Sequence, residues 1–171
     1  MSTVPAVDPE ALKGPLTSVL ARAARLRPVT WFLVNVGNRV DPVLMRATGG
    51  RVKSTMVAPT VLLTHRGARS GKRRSTPLAY FTDGDDVVVI ASRGGHEHNP
   101  AWLHNIRANP EVELWSAGRG GRYRAREAEG AERERLWQLA TGFYPGFASY
   151  QERAGGRVIP VVVCSPEEAQ P

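Results

Sequence analysis

A chain of 171 residues, 42% hydrophobic and 23% charged, is long enough to bury one substantial core and too apolar to be a disordered tail. Its net charge of +7, carried by 20 arginines and 3 lysines, points outward to an acidic partner such as nucleic acid, an anionic membrane or a polyanionic small molecule. The single cysteine, Cys164, excludes an internal disulfide and fits a reducing cytoplasm.

Residues 1–16 carry prolines and glycines with little periodicity and are expected as a loose arm. From Ser18 to Asn35 the pattern turns helical, with Arg22, Arg25 and Arg27 ahead of Val29, Trp31, Phe32, Leu33 and Val34, and with Pro28 kinking or dividing it. Its apolar second half fits packing against the domain. An interfacial anchor, with arginines at the lipid headgroups, is the second reading. Val29–Val36 starts too late for a secretion signal and is too short to span a bilayer, so a cytoplasmic protein, soluble or peripheral at the inner face of the membrane, is expected. Asp41-Pro42 can start a short helical turn that Gly49-Gly50 ends.

The sheet is expected to begin near Thr60. Val61–Thr64 reads as a strand and Thr76–Phe81 as its return partner, so the intervening run from His65 to Ser75 is the tip of a long hairpin. Five of the nine residues from Arg66 to Arg74 are cationic, and Gly67 and Gly71 let the backbone turn so that amides and side chains converge on one anion. A phosphate or carboxylate guest suits this loop; a solvated charged turn in an arginine-rich chain is the plain alternative. A nucleotide triphosphate loop is excluded, because three residues rather than four separate Gly67 from Gly71-Lys72, and Arg73 stands where magnesium binding needs Ser or Thr.

After a turn at Thr82–Asp85, Asp86–Ser92 is too continuously apolar to face water on either side and is expected as a central strand. Arg93–His98 forms a loop, Asn99 an N-cap and Pro100 the first position of a helix that runs through Trp102, Leu103 and Ile106 and stops at Asn109-Pro110. Val112–Ser116 and Arg122–Ala128 read as strands around a Gly-rich turn, Ala131–Phe143 as an amphipathic helix with Leu136, Leu139, Ala140 and Phe143 on one face, and Val158–Cys164 as the closing strand. Strands in hairpin succession favour an antiparallel barrel over a doubly wound sheet.

His96, His98, His104 and Glu97 lack the Cys pairs or HExxH helix of a metal site, so no metal is expected. Cys164, inside an apolar run, reads as a buried thiol and not a nucleophile. Ser92-Arg93-Gly94-Gly95 joins a small hydroxyl and a cation to flexible backbone at a strand end, where they can grip a planar ligand, or form a plain strand-to-helix turn. Tyr144, Phe147 and Tyr150 recur every three residues. Such a stripe is usually core, yet the break at Pro145-Gly146 makes a mobile aromatic lid the functional reading.

Leu62-Leu63-Thr64, Gly67, Arg69-Ser70-Gly71, Arg74, Pro77-Leu78, Ala91–Gly95, Asn99–Trp102, Asn105 and Ala108-Asn109-Pro110 resemble, in this order, the deazaflavin (F420)-dependent nitroreductase and oxidoreductase family of actinobacteria. The resemblance covers about Thr60 to the C-terminus. It implies an α+β fold, a split β-barrel of antiparallel strands with short flanking helices, over residues 56–171, with residues 1–55 as an N-terminal arm and amphipathic helix. Coenzyme F420 is the implied cofactor, its phosphate and oligoglutamate tail against Arg69, Ser70 and Arg74 with Lys72 nearby. Thr76, Pro77, Leu78 and Ala79 would offer backbone to the ring system, and Ala91, Ser92, Arg93, Ala101, Trp102 and Asn105 would complete the pocket. Tyr144, Phe147 and Tyr150 match the family's substrate-facing aromatic positions. Tyr144, Tyr150 and Ser92 are the candidates for hydrogen bonding to the acceptor during hydride transfer. Phe147 stands where the family's best-known activity is associated with tyrosine; the missing hydroxyl counts against nitroimidazole reduction and leaves quinone reduction less affected.

The implied activity is hydride transfer from the reduced deazaflavin to a planar electron-poor acceptor such as a quinone, an enone or a nitro compound. A split barrel filled with FMN or haem is the alternative, and a basic nucleic-acid or membrane-surface module a further one. Against nucleic acid, the aromatics do not interleave with the basic loop as a stacking platform requires.

Overall fold

Alternation of apolar and polar residues sets the strands. In β4 (Glu111–Ser116) Val112, Leu114 and Ser116 are buried while Glu111 and Glu113 face water, and in β5 (Arg119–Glu127) Tyr123 and Ala125 point inward between exposed Arg122, Arg124 and Arg126. The computed structural model describes residues 3–10 and 58–167. The helix expected over Ser18–Asn35, the turn at Asp41–Gly50 and the division near residue 55 lie outside them.

With β1 (Thr60–Arg66), β2 (Arg73–Asp83), β3 (Asp86–Ile90) and β6 (Val161–Pro166), these strands close a barrel in the order β1-β2-β3-β6-β5-β4, every pair antiparallel. Closure leaves no open sheet edge in the body of the barrel. Its interior is filled by Val61, Leu63, Tyr80, Val87, Val89, Leu114, Tyr123 and Val162, together with Trp102, Leu103 and Ile106 of α1 (Ala101–Ala108). A second core lies outside the wall, where Val88, Ile90, Val161 and Val163 are covered by Leu136, Ala140 and Phe143 of α2 (Gly130–Phe143) and by Phe147 and Tyr150 of α3 (Gly146–Arg153). The expectation that the Asp86–Ser92 run is dry on both faces is met: Val87 and Val89 face the barrel interior, and Val88 and Ile90 face the helices. Each of these buried branched side chains contributes about 1.5–3 kcal/mol relative to exposure.

Several boundaries differ from the sequence reading. β3 ends at Ile90, since Ala91 N–H bonds to Pro160 O (3.0 Å) and Ser92 turns into the right-handed helical region. β5 starts at Arg119 because Ala117 and Gly118, at φ of 49° and 79°, suffice for a two-residue hairpin turn. β6 starts at Val161, after Pro160, and leaves Val158 65% exposed. Asn99 is not the N-cap of α1: Pro100 holds that position without a side-chain cap bond, and the Asn99 carboxamide oxygen instead accepts from Arg157 Nη1 at 2.8 Å.

Residues 3–10 are not a loose arm. Val4 is 5% exposed in the barrel core and its N–H bonds to the Tyr123 hydroxyl, the Tyr80 hydroxyl donates to Pro5 O, and Val7 exchanges bonds with Thr82. β1 begins at Thr60 and leaves Thr82 without a strand partner on that side, and Val7 takes its place.

Candidate functional site

Between β1 and β2 the ladder runs from Thr60↔Ala79 to Arg66↔Arg73, whereas the β2–β3 ladder begins only at Tyr80↔Val89. Residues Arg73–Ala79 therefore project past the end of β3; β4 still backs β1 as far as Thr64, so only His65–Arg66 with Arg73–Arg74 form a two-stranded ribbon tip. Pro77, which has no N–H to give, sits in the part of β2 that β3 does not cover.

The ribbon tip is tightly folded. Gly67 N–H bonds to Lys72 O (2.9 Å) and Gly71 N–H to Gly67 O (2.8 Å). Gly71 sits at φ 64°, which favours glycine, and a Cβ on Gly67 would lie 2.6 Å from Ser70 Oγ and displace that hydroxyl. Lower in the ribbon, the hydroxyls of Thr64 and Ser75 share a hydrogen bond of 2.9 Å.

Charge at this tip is unbalanced. Arg73, Arg107, Arg124, Arg126, Arg133 and Arg135 each reach a carboxylate within 4.0 Å. Arg66, Arg69, Lys72 and Arg74 reach none among the described residues, and Arg66 stands directly across the ladder from Arg73. Like charges directly opposite destabilise a strand pair. Arg93, Arg119, Arg122, Arg153 and Arg157 also reach no carboxylate among the described residues, so the tip is set apart by the closeness of four exposed, unmatched cations within one turn.

Asn105 ties the tip to α1. Its Oδ1 accepts from Ala68 N–H at 2.9 Å, which fixes the amide so that Nδ2 donates to His65 Nδ1 at 3.2 Å. Imidazole Nδ1 is then an acceptor and the proton is on Nε2, toward Thr76 Oγ1 at 3.5 Å. His65 is buried, and burial, reinforced by the charge of Arg74 against a backbone bond with Arg66, pulls its pKa below the ordinary histidine value.

Arg157 went unnoticed in the sequence, where it appears as one more arginine beside a Gly-Gly pair. Nη1 donates to Ala91 O (3.3 Å) and Asn99 Oδ1 (2.8 Å), and Nη2 to Ser92 O (3.1 Å) and His96 O (2.9 Å). Burial, with Arg93 nearby, lowers its pKa from the usual guanidinium value. The loop wrapped around it is strained: Arg93 adopts φ 48°, followed by Gly94 at 63° and Gly95 at 81°. A Cβ on Gly95 would lie 2.7 Å from Tyr150 O, so the loop lies directly against α3.

On α3 the aromatic stripe is a packed cluster. Tyr144 and Phe147 meet edge to face at 5.1 Å between ring centroids, Phe147 and Tyr150 at 6.1 Å, and the two tyrosine hydroxyls lie 3.2 Å apart. Phe147 and Tyr150 are buried and Tyr144 is half-buried. Gly146 is required here, since a Cβ would lie 2.3 Å from the Tyr144 ring. Arg153 stacks over Tyr150 at 5.0 Å.

Of the residues expected in one pocket, the structure joins Ala68–Lys72 to Asn105, and Ala91–Arg93 to Asn99 and, through Gly95, to Tyr150. Ser92 is 8% exposed, Ala101 is exposed, Thr76–Ala79 are half-buried, and Trp102 belongs to the barrel interior. No group of His, Cys, Asp and Glu among the described residues is arranged to hold a metal ion, and the His96 and His98 rings meet at a tilt of 53° with centroids 5.5 Å apart. Burial pushes the Cys164 thiol up to about 12, which leaves it protonated and inert, as its apolar setting foretold.

A sequence profile for F420H(2)-dependent quinone reductases matches residues 38–166. The chain belongs to that family. An F420H(2)-dependent quinone reductase of Mycobacterium tuberculosis is 34% identical over 130 residues, covering 73% of this chain and 87% of the relative. A putative F420H(2)-dependent quinone reductase of the same organism is 39% identical over 108 residues, covering 63% and 90%. A solved structure of an F420-H2 dependent reductase superposes with a TM-score of 0.58 at 40% identity, over 63% of this chain and 94% of that one. The fold is thus the split barrel that the sequence resemblance implied, and the chain is an F420-dependent reductase with coenzyme F420 as its cofactor. Of the cofactors weighed for such a barrel, the family sets aside FMN and haem. The residues present suit the group: an exposed tip with four cations lacking carboxylate partners is the donor set that an acidic tail needs.

Proposed function

We propose that this member of the family reduces a quinone, holding the anionic end of F420 against Arg69, Ser70, Lys72 and Arg74 and its ring system along the strand edge at Thr76–Ala79. The reading rests on the concentration at the ribbon tip of four exposed cations, Arg66, Arg69, Lys72 and Arg74, that reach no carboxylate among the described residues. When bound, the cofactor supplies the hydride.

The chain's own residues do the rest. Guanidinium groups at the tip bind a fork of carboxylate or phosphate oxygens, and Asn105 holds the tip in register with α1. Ala91, Ser92 and Arg93, with Ala101 and Asn105, bound the ring end of the slot, and Trp102 backs it from the barrel interior. The Tyr144 and Tyr150 hydroxyls, 3.2 Å apart, form a paired donor that can point toward charge developing on an acceptor oxygen, and Ser92 is a third donor. No strong acid is required if water delivers the proton. Enones and nitro compounds are the acceptors that the same flat slot would take next, nitroimidazoles least, because Phe147 offers no hydroxyl. A quinone held in a bilayer would bring the protein to the membrane face through residues 18–35, while no helix among the described residues is long and apolar enough to cross a membrane.

The test is to mix the purified protein with reduced F420 and a soluble menaquinone analogue and follow the return of the oxidised cofactor's absorbance. Turnover dependent on quinone is expected, with the KM for F420 rising about tenfold in Arg69→Ala or Arg74→Ala. An unchanged KM in both variants removes the tail from the ribbon tip.

A further inference from the structure

The geometry points to Arg157 as a positioning residue of the reaction: its guanidinium, folded into the loop Ala91–Asn99, sets the strand-end segment that carries Ser92 and Arg93 against the aromatic helix α3. The inference rests on the reading of Ser92, Arg93 and the α3 aromatics as the ring end of the site.

Three observations carry it. First, one side chain takes up three backbone carbonyls and one carboxamide from four positions of the loop, Ala91, Ser92, His96 and Asn99, at 2.8–3.3 Å. A planar fork with five N–H groups can do this, whereas an ammonium cannot serve the same directions at once. Second, Arg157 is itself fixed from α3. Gln151 donates from Nε2 to Arg157 O (2.6 Å) and accepts the Ile159 N–H on Oε1 (2.9 Å), so one carboxamide clamps the segment on both sides of the arginine. Third, the loop is not self-supporting. Arg93 sits at φ 48°, a region unfavourable for a side-chain-bearing residue; of the bonds within the loop, Gly95 N–H to Ser92 O (3.0 Å), His98 N–H to His96 Nδ1 (3.2 Å), His96 N–H to Arg93 O (3.3 Å) and Arg93 Nη1 to Asn99 O (3.4 Å), the two at Arg93 itself are the longest. The path Tyr150–Gln151–Arg157–Ser92 thus joins the proposed acceptor face to the proposed ring end.

Arg157→Gln, Arg157→Lys and Gln151→Ala test this, with steady-state kinetics and hydrogen exchange of the amides at Ser92–His98 read on the same preparations. In Arg157→Gln we expect exchange in the loop to quicken at least about tenfold. The kcat should fall by about tenfold to a hundredfold, while the KM for F420 changes by less than about threefold because the tip is untouched. Millimolar guanidinium should restore part of the lost kcat. Arg157→Lys and Gln151→Ala should show the same pattern more weakly, and they decide the matter if the glutamine variant does not fold. An unchanged loop exchange overturns the inference, and so does a quickened loop with wild-type kcat. If the wild type itself shows no turnover with reduced F420 and quinone, the functional reading fails and this inference with it; if the wild type turns over and the variants match it, the inference alone fails.

Discussion

Replacing Asn105 by alanine should uncouple the basic tip from α1 and change how stability responds to pH. Two hydrogen bonds disappear, at about 1 kcal/mol each, and the acceptor Nδ1 of buried His65 loses its donor at a further cost of about 1–3 kcal/mol. Water can reach Ala68, so the loss expected at pH 8 is about 2–4 kcal/mol. In the native state His65 is held neutral, with its pKa below the unfolded value. Its contribution is therefore complete above the unfolded pKa, near 6.5, and is lost as the pH falls toward the folded one; the slope is at most about 1.4 kcal/mol per pH unit. Asn105→Asp should reverse the sign. A carboxylate at position 105 accepts both Ala68 N–H and a protonated Nδ1, which raises the folded pKa, so that its stabilisation is present at low pH and fades as pH rises through that value. Urea denaturation at half-unit steps from pH 5.5 to 8, read as differences between wild type and the two variants, reports the contact at position 105. Parallel curves for wild type and Asn105→Asp would refute the assigned tautomer and the coupling built on it.

Other outcomes follow from single contacts. Gly95→Ala forces a Cβ to within 2.7 Å of Tyr150 O at a φ of 81°, and should destabilise by about 1–3 kcal/mol and lower kcat together with it, as thermal melts and turnover would show. Cys164, whose pKa is pushed up to about 12 in the native barrel, should resist iodoacetamide until urea unfolds the chain; rapid labelling of the native protein would contradict its burial. Asp83→Asn, by contrast, removes an exposed pair with Arg135 and should change stability by less than about 1 kcal/mol, and only above the depressed pKa of Asp83, since below it the pair is already lost.

The strands, the barrel and the family were all legible along the chain, because each rests on information local in sequence. Alternation writes inward and outward faces into β4 and β5, and the continuously apolar run of β3 marks a strand covered on both faces. The density of cations around Gly67 and Gly71 marked the ribbon tip, and an ordered series of motif residues carried the resemblance. What the amino acids did not disclose was pairing across distance. Asn99 reads as a helix cap by its neighbour Pro100, yet its amide is claimed by Arg157, 58 positions away. Val4 reads as part of a frayed arm until Tyr123 is found beside it.

Charge composition likewise gave the number of cations but not which of them would meet a carboxylate. That depends on where the ladders end: β3 stops at Ile90 while β1 and β2 run on to Arg66 and Arg73, so that of the five tip cations only Arg73 reaches a carboxylate, Glu113 of β4. Local periodicity decides which face of an element is apolar; the lengths at which neighbouring strands part company, a property of the closed barrel alone, decide which polar groups are left for a ligand.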